Sequence, residues 1–92
     1  MSKKKQKELC EQLIREYFTE IMAGNVRRES RCIDASVLTG VLWLEIFGGR
    51  LKLGVDWKAA KAYAKTLIVG AHLPIGPDGW YILPPLATGG AR

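Results

Sequence analysis

The chain has 92 residues, 48% of them hydrophobic, with three tryptophans and a net charge of +5. That is too short for two independent cores and too apolar for wholesale disorder, so one small domain is expected, at residues 1–85, with 86–92 as a flexible tail. Cys10, Cys32 and the single His72 supply too few ligands for a zinc site, and Lys3–Lys7 lead into Glu8 and Glu11 rather than into an apolar signal segment. The longest apolar run, residues 37–47, is about half a membrane span and contains Glu45. The expectation is a reduced, cytoplasmic protein with no membrane partner, and the positive charge suits a polyanion.

The elements read in order. Leu9, Leu13, Tyr17 and Ile21 recur every four residues, flanked by Ile14, Phe18 and Met22, and predict a long helix over residues 4–23 that stops at Gly24-Asn25. Four lysines at its start oppose the helix dipole, so its first turn is expected to fray. Arg31-Cys32-Ile33 follows as a short strand. Asp34 then offers an N-cap to a second helix, ASVLTGVLWLEIF, for which a strand over VLWLEIF is the rival reading because β-branched and aromatic residues are dense there. Apolar residues lie almost all round this helix, which predicts deep burial. After the connector GGRLKLGV, Asp56 caps a third helix that is expected to end at Gly70. Ala60, Tyr63, Ala64 and Leu67 form one side of it, and Lys58, Lys61 and Lys65 lie within about 60° on the other.

In LPIGPDGWYIL, residues 73–83, Pro77 presets the first turn corner, Asp78 suits the second and Gly79 accepts a left-handed backbone. Leu73–Ile75 and Trp80–Leu83 therefore read as the arms of a hairpin turning at Gly76, Pro77, Asp78 and Gly79. The order helix, short strand, helix, helix, hairpin, together with Gly70, Leu73, Pro74, Ile75, Gly79, Trp80, Tyr81 and Leu83, resembles winged helix-turn-helix domains of phage and bacterial regulators over about residues 30–84. The resemblance implies an α+β winged helix with a C-terminal β-hairpin wing, duplex DNA as partner, and residues 56–69 as a recognition helix entering the major groove. Two features depart from that pattern. The connector before the third helix is longer than a tight helix-turn-helix turn, and the hairpin tip carries no Lys or Arg.

Candidate DNA contacts are Lys58, Lys61 and Lys65, with Trp57, Arg50 and Lys52 beside them. As point charges the lysines neutralise phosphates without the fork by which arginine reads guanine, so salt-sensitive binding of modest specificity is expected. The solvated face of an amphipathic helix is the competing account. Trp57 is read either as a stacking residue or as packing against the second helix. Lys3, Lys4, Lys5 and Lys7, with Arg27 and Arg28, are read as a basic arm or as a solubilising helix start. Glu45 is either a buried carboxylate or the partner of an arginine. Cys10 and Cys32 read as buried or half-buried thiols. No phosphate-binding loop or nucleophile pairing occurs, so neither an enzyme, a cofactor, a metal nor a small-molecule ligand is expected. Protein contact or homodimerisation through the N-terminal helix, and RNA binding, stand as alternatives.

Overall fold

A computed structural model of the chain describes residues 2–26, 30–51 and 55–84. The expectations for Arg27, Arg28, Lys52 and the 86–92 tail lie outside those residues. The elements are α1 (Lys3–Met22), β1 (Cys32–Ile33), α2 (Ala35–Phe47), α3 (Trp57–Gly70) and β2 (Tyr81–Ile82). Three helices and a two-stranded antiparallel sheet make the architecture α+β.

α1 buries Cys10, Leu13, Ile14, Phe18 and Ile21 along one side. Its first turn is formed rather than frayed. The Ser2 hydroxyl accepts from the Lys5 amide at 3.1 Å, which satisfies an otherwise orphaned donor, while the lysine charges remain in solvent where repulsion from the dipole is weak. At the other end Gly24 takes φ 81°, and the Gly24 and Asn25 amides donate to the Ile21 and Glu20 carbonyls at 3.1 and 2.9 Å. This pair of bonds is the Schellman arrangement that the Gly-Asn stop predicts.

α2 begins where Asp34 predicts, its carboxylate accepting from the Val37 amide at 2.9 Å, and residues 37–47 are helical throughout. It ends with the same device, Gly49 at φ 86° and the Arg50 amide donating to the Glu45 carbonyl at 2.9 Å. The expected deep burial does not hold. Leu38, Thr39 and Leu42 are buried, but Trp43, Leu44 and Phe47 are 53%, 67% and 81% exposed. α1 and α3 both pack on α2, yet two helices and a two-residue-deep sheet are too little material to enclose it.

α3 starts at its Asp56 cap, whose carboxylate accepts from the Ala59 amide at 3.1 Å. Ala60, Ala64 and Ile68, spaced by four, form its buried edge, and the two alanines let its backbone lie close to its neighbours. The helix ends at Gly70, as its sequence predicts, with Ala71 as its C-cap. His72, at φ 56°, is the left-handed residue that redirects the chain, a conformation that a non-glycine residue holds at a cost.

Ile14, Ile33, Leu38, Leu42 and Ile68 are the largest wholly buried side chains, so the core lies where α1, β1, α2 and α3 converge, with Leu51 and Leu83 closing its margins. β1 and β2 pair Cys32 with Ile82 and Ile33 with Tyr81, and the Leu83 amide donates to the Arg31 carbonyl at 2.7 Å. On the other side of β2 an antiparallel bridge joins Ile75 to Tyr81, and the Ile82 amide donates to Pro74 at 2.8 Å. The hairpin arms are thus shorter than expected, because neither Pro74 nor Pro84 has an amide to extend a ladder.

Candidate nucleic-acid interface

Two local devices aim the outer face of α3. The Asp56 cap fixes where the helix begins, and the Ala60–Ala64–Ile68 edge fixes which side faces the core. At 100° per residue this turns Lys58, Lys61 and Lys65 outward, and all three are exposed. Ala62, Thr66 and Val69 are interspersed with them, also in solvent. No carboxylate lies within Trp57–Gly70. The amide end of the helix lies beside Lys58, and the Asp56 carboxylate that caps it offsets the positive potential of that end.

The hairpin reaches this face from the side. Lys65 Nζ lies 5.6 Å from the centroid of the Tyr81 ring, within cation–π range, and so links the last lysine of the stripe to β2. At the tip the Gly79 amide donates to the Gly76 carbonyl at 3.0 Å, the Gly76 amide to Trp80 at 2.7 Å, and Gly79 stands at φ 87°. The Asp78 carboxylate accepts from the Trp80 amide at 3.1 Å. Gly76, Pro77, Asp78 and Gly79 are therefore the turn that the sequence predicts, and its polar groups serve the turn itself. From the opposite side Arg15 Nη1 donates to the Tyr63 hydroxyl at 2.9 Å, tying α3 to α1.

The other candidates separate from the stripe. Trp57 is half-buried and stacked on Trp43 of α2, with centroids 4.9 Å apart and planes at 20°, and Trp43 in turn meets Phe47 at 6.3 Å. Its ring has a packing partner, as one of the two readings of Trp57 requires. Arg50 Nη1 sits 3.2 Å from Glu45 Oε1. This pairing resolves the alternative for Glu45 and partly cancels the charge that Arg50 was expected to add to a phosphate track. Lys3, Lys4, Lys5 and Lys7 are exposed but belong to α1, so they form a helix start and not a flexible arm.

Neither cysteine forms a disulfide. Burial pushes the Cys10 thiol above its ordinary value, with the neighbouring Glu11 charge adding to the effect, so the thiolate is disfavoured there. Among the described residues no group of three or more His, Cys, Asp or Glu side chains could hold a metal ion, and no helix is long and apolar enough to cross a membrane.

Two features escaped the sequence reading. Tyr81 as the neighbour of Lys65 is a tertiary contact without a local signal. The exposed Trp43–Phe47 pair had one, since two aromatics four apart stand on one side of a helix. Compared with known proteins, the chain matches no family model, no curated protein and no solved structure.

Proposed function

We propose that the protein is a small winged-helix DNA-binding module, of the transcriptional or phage-type regulator class, that docks α3 on duplex DNA mainly through phosphate contacts. The observation that carries this reading is the stripe of Lys58, Lys61 and Lys65, exposed together on a helix free of carboxylates. The element order and the hairpin beside Lys65 are compatible with a winged helix and support the reading. Three ammonium groups along one helix face suit the spaced charges of a backbone, and none of them can read a base edge by a bidentate fork. Affinity then rests on counterion release and specificity is modest.

The test is duplex titration at low salt with wild type and Lys58→Glu/Lys61→Glu/Lys65→Glu. Each substitution changes the charge by two, so the triple variant falls from +5 to −1. Lys3→Glu/Lys4→Glu/Lys5→Glu has the same net charge with the stripe intact and serves as control. Binding lost in the first and largely kept in the second supports the reading. Equal binding by wild type and the stripe variant refutes it. A second reading, a scaffold for protein contact without DNA, draws support from the turn Gly76–Gly79, which has no cation to meet a phosphate. It requires that wild type bind no duplex even at low salt.

A further inference from the structure

α2 leaves an apolar surface in solvent. Ser36, Gly40, Trp43 and Phe47 share one side of the helix, with Leu44 next to them. The rings are already ordered, Trp43 being stacked on both Phe47 and Trp57. α2 has no cation, and its one carboxylate, Glu45, is paired with Arg50. At Gly40 a Cβ would meet nothing within 4 Å, so the helix backbone is open to close approach.

We propose that this face is the contact between two copies of the chain, packed α2 against α2 in antiparallel fashion about a two-fold axis. The proposal does not depend on the DNA-binding reading. Three observations select a second copy as the occupant. Two chains of charge +5 repel each other wherever lysines face lysines, and α2 is the helix on which like copies meet without that repulsion. The same neutrality gives a polyanion nothing to bind.

The shape is also self-complementary. With the axis midway between Gly40 and Trp43, Trp43 of each copy lies over Gly40 of the other, and Phe47 lies over Ser36. Each large side chain thus faces a small one, as a two-fold contact demands. The third observation is area. With aromatic side chains of roughly 150–250 Å², the exposed parts of Trp43 and Phe47, with Leu44, leave about 400 Å² of apolar surface per copy. That is about half of the ~800 Å² per partner in a standard interface, the remainder being its polar rim. α1 is the weaker candidate, because its apolar side is buried in the chain's own core.

Sedimentation velocity of the full chain from low micromolar to submillimolar concentration tests the proposal. Wild type is expected to show a reversible monomer–dimer equilibrium. Gly40→Leu starts from a position where a Cβ meets nothing within 4 Å and replaces a poor helix former with a good one, while its bulk blocks the seat for Trp43 of the partner copy. Phe47→Glu puts an unpaired carboxylate into the apolar seam opposite Ser36 of the other copy. Each is expected to weaken pairing by about thirtyfold or more, the level of an interface hot spot. Circular dichroism checks that both remain helical. The lysine-stripe variant is expected to pair as well as wild type or better. Wild type that stays monomeric throughout, or pairing unchanged in folded Gly40→Leu and Phe47→Glu, overturns the proposal. Duplex binding by a monomeric wild type would overturn it and leave the DNA reading standing.

Discussion

Asp56 is the residue at which stability and affinity should move in opposite directions. Its carboxylate caps α3, accepting from the Ala59 amide at 3.1 Å, and it stands two residues from Lys58. Asp56→Ala removes both the acceptor and the charge, and an N-cap lost to alanine costs about 1 kcal/mol, within a range of roughly 0.5–2. Asp56→Asn keeps an acceptor oxygen and loses only the charge at the helix end, worth about 0.3–1 kcal/mol. The expected order of stability is wild type, then Asn, then Ala. For a domain of this size about 1 kcal/mol lowers Tm by roughly 4–8 °C. Thermal melts followed by circular dichroism at matched protein concentration read that order. Affinity should rise in both variants. A unit charge about 10 Å from a phosphate contributes about 0.4 kcal/mol in water, so removing the carboxylate tightens low-salt duplex binding by about twofold. Asn as damaging as Ala would refute the capping account. Affinity that falls together with stability would refute α3 as the docking element.

Gly40→Ala should stabilise the chain by about 0.5–1 kcal/mol, because the helical position is open, whereas Gly79→Ala at φ 87° should destabilise it by about 1 kcal/mol or more; denaturant midpoints separate the two signs. Ile68→Ala should cost about 2–5 kcal/mol in urea unfolding, since that side chain is wholly buried at the centre of the three helices. The Cys10 thiol, raised in the folded state above its ordinary 9.0, releases its proton more readily when the chain unfolds. Its contribution to stability is therefore complete below pH 9.0 and is lost as pH climbs through the higher folded value. Cys10→Ala should lose less stability than wild type over that alkaline range.

What the sequence revealed was what local chemistry determines. Asp34 and Asp56 mark two helix starts because each offers a carboxylate to an amide three residues on, and Gly24 marks a stop because the left-handed turn is easy for it. The turn at Gly76–Gly79 was legible for the same reason. Less visible was anything set by packing. An apolar helix such as α2 does not announce which side its neighbours will cover, so the exposure of Trp43, Leu44 and Phe47 went against its composition. α3 ends at Gly70 as expected, but the left-handed residue beyond it is His72, a position with no glycine to mark it. Within the candidate site the lysine stripe could be read from periodicity alone. The Arg50–Glu45 pair and the Lys65–Tyr81 contact could not be located that way: a five-residue separation straddles the helix end, and Tyr81 arrives from a distant strand.

The central claim is that α3 meets the nucleic-acid backbone through three lysines, and the salt dependence of duplex binding tests it most directly. Three neutralised phosphates predict a slope of about −2.7 for log affinity against log salt, a loss of about fortyfold between 50 and 200 mM. The Lys58→Glu/Lys61→Glu/Lys65→Glu variant should show no measurable affinity at either salt concentration. A slope near zero in wild type, or the same slope in wild type and variant, would contradict the account.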